Sequence, residues 1–339
     1  MRYADFEVGM DLRDIGEFGL LGRVREWMAT SRRDVIQGIG DDVAVIESGN
    51  KVLLATTDLL IEGVHFERSW MDPYHLGKKS LMVNLSDIAA MGGIPTFFLL
   101  SLGLPGDLSL TFVSRFYRGL KEGAKPFNVA LIGGDTSRSQ KIVVNICLLG
   151  EGKKDGLLYR KGASVEDDFY VSGTLGDSAL GLRFLQKRGV RKGPKTLIEK
   201  HLSPCPRLQL GRLLAQRHLA TAMIDVSDGL LIDATHLLEE SGVGGRIWEN
   251  RIPLSNLYRK YAPVYSKDPY QLALCGGEDY ELLFTAPPAM ETRILSLATS
   301  LGIPITRIGK IRSRKEGFRI IKNGGKEYPP DSLGFEHFK

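Results

Sequence analysis

Acidic residues recur in one kind of place along this chain. Asp41-Asp42 follows Gly38-Ile39-Gly40, Asp58 closes an apolar run, and Asp135 follows Gly133-Gly134. Asp225 and Asp228 flank Ser227 ahead of Gly229, and Glu278-Asp279 follows Gly276-Gly277. Each is a carboxylate at a strand end or turn beside Gly, Ser or Thr, where doubly wound folds put their ligand-binding loops. One Asp beside Gly is ordinarily a turn residue or a helix N-cap; the recurrence carries the signal. Asp87 is of another kind, lying within an apolar helical stretch that includes Leu81, Leu85, Ile88 and Ala89. Ser80, Asn84 and Asp87 form one polar stripe on it at i, i+4, i+7 spacing. A solvated face more often carries Lys and Glu, so these short polar side chains predict a face that meets a ligand or a metal.

Several carboxylates gathered at one site repel one another unless cations lie between them. Magnesium suits such a set, because it takes hard oxygen ligands and shares them among a few carboxylates, waters and phosphates. No H-E-x-x-H, no His pair at ligand spacing and no EF-hand loop offers another metal. The acids therefore point to Mg²⁺ carrying a nucleotide polyphosphate. The chain has no G-x-x-x-x-G-K-[S/T] loop and neither the H-R-D nor the D-F-G set of protein kinases. Gly173-Thr174-Leu175-Gly176-Asp177-Ser178 fits a backbone phosphate cradle and a plain turn with an N-cap equally well. No Ser/His/Asp or Cys/His arrangement supplies a general base. A phosphate acceptor would need none: its oxygen is already anionic, and the difficulty is to bring two anions together in line.

The elements that must position these acids alternate along the chain. Strands are predicted at Val52–Thr56, Thr96–Leu104, Val129–Ile132, Ile142–Leu149, Phe169–Ser172, Ala222–Ile224, Gly245–Trp248, Glu281–Thr285 and Ile305–Ile308. Helices are predicted at His75–Met91, Leu110–Lys125, Ser178–Gln186, Leu208–Arg217, Leu230–Ser241 and Glu291–Leu301. Gly133-Gly134-Asp135-Thr136 reads as a turn after its short strand, and Lys187–Pro206 as a basic segment containing a loop. The polar stretch Gly150–Gly162 marks a junction, giving an N-terminal nucleotide- and metal-binding α/β domain over 1–155 and a C-terminal α+β domain over 156–339.

Composition narrows the partners. The 339 residues are 43% apolar and 25% charged, enough for two cores and unlike a disordered chain. A net charge of +5 and a pI of about 9.0 suit anionic small molecules, and no Lys/Arg run interleaved with aromatics argues for nucleic acid. The acid-bearing N-terminus lacks a signal peptide's apolar core, and the apolar run Phe97–Leu104 is too short to span a bilayer. A cytoplasmic protein without membrane partners is expected. Cys147, Cys205 and Cys275 are too scattered for a zinc site or disulfide framework.

Taken in order, the segments GIGDDVAV, ATTDLLIEGVHF, NLSDIAAMGG, LIGGDTSRS, IDVSDGL, GGEDYELLF and GFEHF closely resemble the bacterial thiamine-monophosphate kinases, in the aminoimidazole-ribonucleotide-synthetase-like superfamily. The resemblance runs from about Phe18 to Phe338. It implies an N-terminal α/β domain that dimerises through its sheet to give a homodimer, and a C-terminal α+β domain. It implies direct transfer of the ATP γ-phosphate to thiamine monophosphate with several Mg²⁺ ions, and no catalytic residue beyond the metal and phosphate ligands. It also implies roles. Asp42, Thr56, Thr57, Asp58, Asp87, Asp135, Asp225 and Asp228 match metal ligands. Tyr117, Gly134, Asp135, Arg160 and Ser227 match nucleotide contacts. His65, Glu278 and Phe335 match contacts to the acceptor. Sister synthetases of the superfamily, or a non-catalytic sensor of nucleotide or thiamine phosphate, are the alternatives. No Cys precedes Cys147 and the chain ends in Lys339, against the selenophosphate-synthetase and hydrogenase-maturation patterns respectively.

Overall fold

A computed structural model describes residues 11–187, 193–330, 334 and 337–338. Helix α1 (Leu12–Trp27) leads into a six-stranded sheet. Its strands are β1 (Val35–Gln37), β2 (Ala44–Ser48), β3 (Lys51–Ile61), β4 (Ile94–Leu104), β5 (Ala130–Arg138) and β6 (Val143–Gly152), in the order β1-β2-β3-β6-β4-β5. Every pairing is antiparallel except β4 with β5. Strict alternation makes β3 two-faced: Val52, Leu54 and Leu60 are buried, whereas Leu53, Thr57 and Leu59 are exposed. Helices α2 (Pro73–Met91) and α3 (Leu110–Ala124) cover the buried face, where Leu54, Leu85, Ile88, Phe98 and Ile146 pack in one core.

The second sheet holds β7 (Asp168–Ser172), β8 (Ala222–Asp225), β9 (Gly244–Trp248), β10 (Leu282–Ala286), β11 (Ile305–Arg312), β12 (Phe318–Ile321) and β13 (Glu327–Tyr328). Their order is β13-β12-β9-β11-β7-β10-β8. Around it run α4 (Asp177–Gln186), α5 (Lys195–Leu202), α6 (Leu208–Gln216), α7 (Leu230–Ser241), α8 (Asn256–Tyr261), α9 (Gln271–Cys275) and α10 (Glu291–Leu301). β7 and β10 are buried on both faces, with Phe169 and Val171 in one core and Tyr170 and Phe284 in another. The expected class holds: a mixed α/β unit followed by an α+β unit.

Helix α2 joins the halves. Asp72 caps it, accepting the N–H groups of Tyr74 and His75, with Pro73 in the first turn, and left-handed Gly92 ends it. Leu81, Leu85 and Ile88 face the first core, while Ala89 and Ala90 pack among Leu210, Leu214 and Met223 of the second half. α2 buries Lys79, Ser80, Asn84 and Ser86 along with its apolar residues, so these polar groups must find partners inside the protein.

Two expectations are corrected. The strand expected to stop at Ile132 and turn at Gly133-Gly134 runs on to Arg138, with one bulge beside Leu99. Gly134 has φ 152°, and a Cβ there would lie 1.8 Å from the Leu100 carbonyl oxygen. The glycines therefore press the edge strand against β4 rather than turning it. Strand β3, expected to close at Asp58, runs on to Ile61, so Asp58 lies inside it. The basic segment Lys187–Pro206 holds its expected loop after Leu202 and, ahead of that, α5, which buries Leu197, His201 and Leu202. The sequence reading also passed over α1 (Leu12–Trp27). Among the described residues no helix is long and apolar enough to cross a membrane.

Candidate active site

Strand alternation and one helix face assemble the acids. Thr56 and Asp58 lie on the β3 face that meets α2. The Thr56 hydroxyl donates to Asp87 Oδ2 at 2.5 Å, and the Asp58 N–H donates to Asn84 Oδ1 at 3.1 Å. Ser86, next along α2, donates to Asp225 Oδ2 at 2.5 Å, which brings the end of β8 to the same helix. Arg160 closes the other side: its Nε and Nη2 donate to Asp42 Oδ1 at 3.1 and 2.5 Å, and its N–H donates to Asp41 Oδ1 and Oδ2 at 3.3 and 3.2 Å.

Burial and mutual repulsion act on these acids together. Burial pushes the Asp58 carboxyl up to about 6, helped by Asp228 and Asp42. Burial and Asp42 push Asp225 up to about 8. Asp87 is raised well above its ordinary value by burial and then by Asp58, Asp225 and Asp42. Burial, with Glu17 next, takes Asp228 up to about 6. Burial and Asp42 take Asp41 up to about 7. Acids from β3, α2, β8 and the loop before β2 thus repel one another across one space.

Magnesium fits this donor set on a structural ground. Among the described residues Asp42 Oδ2 is buried and has no hydrogen-bond partner, so an acid within the fields of Asp58, Asp87 and Asp225 carries an oxygen that needs a cation or a donor. Among the described residues no three acidic, His or Cys groups form a finished metal cage.

The repulsion sets a pH dependence. A carboxyl raised in the folded state costs no stability below its unfolded pKa of about 4, and its full cost appears above the folded value. With folded values of about 6 for Asp58 and about 8 for Asp225, the metal-free protein is expected to lose stability between pH 5 and pH 8. Urea denaturation in a chelator at those two pH values checks this. MgCl₂ is expected to raise the midpoint at pH 8 much more than at pH 5.

Not every expected ligand joins the cluster. The Thr57 side chain lies on the opposite, exposed face of β3, where its hydroxyl accepts from Asn145 Nδ2 at 2.9 Å. Asp135 lies beside Ser101 in the same outer row as Asn145 and Leu59. The period of two along a strand puts adjacent Thr56 and Thr57 on opposite faces. Tyr117 stands exposed on α3, its ring edge-on to Phe116, with no hydrogen bond to these acids among the described residues. Gly134 lies on the exposed edge strand. Ser227 sits in the loop after β8, and its N–H donates to Asp233 Oδ2 at 3.1 Å.

Of the expected acceptor contacts, Glu278 lies within the field of Asp228, and His65 within that of Glu278. His65 accepts the Ile61 N–H on Nδ1 at 3.0 Å, and its ring meets that of His337 at 5.3 Å. Burial and then His337 hold His65 below its ordinary value. Glu278 projects from the loop before β10. Burial would raise its carboxyl, but Lys79 and His201 together hold it below the usual range. Phe335 lies outside the described residues.

Three buried residues escaped the sequence reading. Asp233 Oδ2 accepts three successive N–H groups, from Ser227, Asp228 and Gly229, at 3.1, 3.2 and 3.1 Å, and so fixes the loop bearing Asp225 and Asp228. Lys79 and His201 both pair with Glu278. Asp233 carried the signal that exposed Asp87, a charge inside an apolar helical run, whereas Lys79, between Lys78 and Ser80, read as a solvated position. His201 carried none.

Comparison with known proteins fits this geometry. The AIR synthase related protein N-terminal domain matches residues 40–151, and the corresponding C-terminal domain matches residues 165–322. The thiamine-monophosphate kinase of Aquifex aeolicus (strain VF5) is 39% identical over 331 residues, which is 97% of this chain and 100% of the relative. That of Escherichia coli (strain K12) is 38% identical over 327 residues, 95% of this chain and 98% of the relative. A solved structure of AaThiL complexed with AMPPCP and TMP is similar with a TM-score of 0.85 at 38% identity, covering 98% of this chain and 100% of that one. With two family domains in the expected order and relatives matched over nearly their whole length, this chain belongs to the thiamine-monophosphate kinase family of AIR synthase related proteins.

Proposed function

We propose that this chain transfers the γ-phosphate of ATP to thiamine monophosphate, giving thiamine diphosphate and ADP. The observation that carries the reading is the convergence of Asp42, Asp58, Asp87, Asp225 and Asp228 from both halves of the chain, with a buried Asp42 oxygen left without a partner. The similarity to a structure complexed with AMPPCP and TMP supports the choice of ATP and thiamine monophosphate as substrates.

Asp42, Thr56, Asp58, Asp87, Asp225 and Asp228 would hold Mg²⁺ on the inner face, whereas Thr57 and Asp135, on the outer face of the sheet, do not point at that cluster. Bound magnesium would neutralise the phosphate charge that grows as transfer proceeds. Arg160 binds polyphosphate, Ser227 contacts the nucleotide from the loop that Asp233 fixes, and Tyr117 and Gly134 flank it. His65, Glu278 and Phe335 receive the thiamine moiety. No side chain needs to remove a proton, because the acceptor oxygen is already anionic. We place the domain boundary between residues 155 and 156 and the protein in the cytoplasm, where ATP is available. Phosphorus NMR with ATP labelled at the γ-phosphate tests the reaction: the label should appear as the terminal phosphate of thiamine diphosphate. Label found only in inorganic phosphate would overturn the assignment.

We also propose a homodimer formed through the first sheet. Its outer face exposes Leu53, Leu59, Phe97 and Leu99, and every residue of the edge strand β5 is exposed. Such an apolar face and bare edge call for a partner. Leu99→Glu should convert the dimer to a monomer in sedimentation analysis, and an unchanged dimer would place the interface elsewhere.

A further inference from the structure

Glu278 sits where several separately unfavourable features meet. It has φ 67°, and Tyr280, two residues on, has φ 51°. Non-glycine residues held in this region cost of order 1 kcal/mol or more each and persist only where the surroundings enforce them. The enforcement is visible: the N–H groups of Glu278 and Tyr280 donate to the carbonyls of Ser227 and Val226 at 2.6 and 2.8 Å. The carboxyl of Asp279, between them, accepts from the N–H groups of Gly176 and Ser178 at 2.6 and 3.3 Å.

Behind the carboxylate lie two buried nitrogens. Lys79 Nζ is 2.8 Å from Glu278 Oε1, and His201 Nδ1 is 2.9 Å from Oε2. His201 Nδ1 also lies 3.2 Å from the Ser178 hydroxyl, and its ring packs against Trp70 at 5.5 Å. The side chains of Lys79 and His201 are 2% and 1% exposed, whereas that of Glu278 is 25% exposed. Of the three, only the carboxylate can meet a ligand. A buried ammonium is costly unless paired, and replacing a buried ion pair by apolar residues is often neutral or stabilising. Stability alone therefore gives little reason to keep this arrangement.

We propose that Lys79 and His201 are positioning residues of the acceptor site, holding Glu278 from behind so that its carboxylate meets the cationic thiamine moiety in one fixed orientation. This rests on the reading that Glu278 contacts the acceptor. The pair belongs to the acceptor side and also ties that side to the metal side. Lys79 lies on α2, seven residues before Ser86, which donates to Asp225, and eight before Asp87. One rigid helix thus spaces the acceptor contact against the metal ligands.

The test is steady-state kinetics of the full chain with Mg²⁺, ATP and thiamine monophosphate. Lys79→Met and His201→Ala are each expected to raise KM for thiamine monophosphate by about tenfold, the loss of roughly one charge-assisted hydrogen bond, with KM for ATP nearly unchanged. His201→Gln, which keeps a donor, should recover most of that loss. Because Lys79→Met leaves a charge buried beside His201, the double variant Lys79→Met/Glu278→Gln supplies the control. It should fold and show an acceptor KM no worse than Glu278→Gln alone. Equal changes in both KM values, additive effects in the double variant, or failure of His201→Gln to outperform His201→Ala would overturn the proposal while leaving Glu278 as an acceptor contact. An unchanged acceptor KM in Glu278→Gln would remove that underlying reading, and this proposal with it.

Discussion

Asp87→Asn is expected to lower turnover by about 10³-fold or more while making the metal-free protein more stable. Both effects come from the same carboxylate. Asp87 lies on α2 within the fields of Asp58, Asp225 and Asp42, all of which push its carboxyl upward after burial. Without cations, removing one negative charge relieves that repulsion, and an amide at this position still accepts from the Thr56 hydroxyl. With substrates bound, the lost charge is one that would help hold the cations neutralising the transferring phosphate, and electrostatic stabilisation is the main catalytic device in phosphoryl transfer. Urea denaturation in a chelator and single-turnover assays in Mg²⁺ separate the two effects. A variant that is both slower and less stable without metal would show that Asp87 serves the fold.

Arg160→Met is expected to have the opposite stability signature. Its guanidinium donates twice to Asp42 Oδ1, and the Asp42 side chain is only 1% exposed. Removing one partner of a buried pair leaves the other charge uncompensated, at a cost of about 3 kcal/mol or more. Here Asp41 lies next to that charge, so the metal-free variant should be strongly destabilised. Mg²⁺ should restore much of the loss, because the partnerless Oδ2 of Asp42 offers a cation a place to neutralise the same carboxylate. KM for ATP should rise by at least about tenfold if Arg160 also binds polyphosphate, as proposed. An equal loss of stability with and without Mg²⁺ would separate Arg160 and Asp42 from the metal site.

Much of this was legible in the sequence, for physical reasons. Carboxylates near Gly at strand ends and turns marked Asp42, Asp225 and Asp228, because loops at strand ends are where such folds place ligands; Asp58 was read the same way, but β3 runs on to Ile61 and strand alternation, not a strand end, aims Asp58 at the cluster. Asp87 was legible because a charged residue in an apolar helix needs a reason. The same rule would have marked Asp233 had it been applied to α7, but not Lys79, which stands between Lys78 and Ser80. His201 was not legible, because α5 lies in a basic, Pro- and Gly-punctuated segment whose local composition hides an eight-residue helix. The faces of Thr57 and Asp135 could not be read either. Adjacent motif residues look equivalent in one dimension, and only the register of β3, β6, β4 and β5 shows that alternate positions point to opposite sides of the sheet. The Gly133-Gly134 pair misled for a related reason, since glycine permits a close approach between strands as readily as a turn.

An acid cluster that serves phosphoryl transfer between two phosphates must yield its two products in fixed proportion. Purified protein with ATP, MgCl₂ and thiamine monophosphate should release ADP and thiamine diphosphate in equal amounts, quantified by chromatography, and release neither when the acceptor or the metal is left out. ADP formed at the same rate without thiamine monophosphate, or no thiamine diphosphate from folded protein that binds ATP, would contradict it.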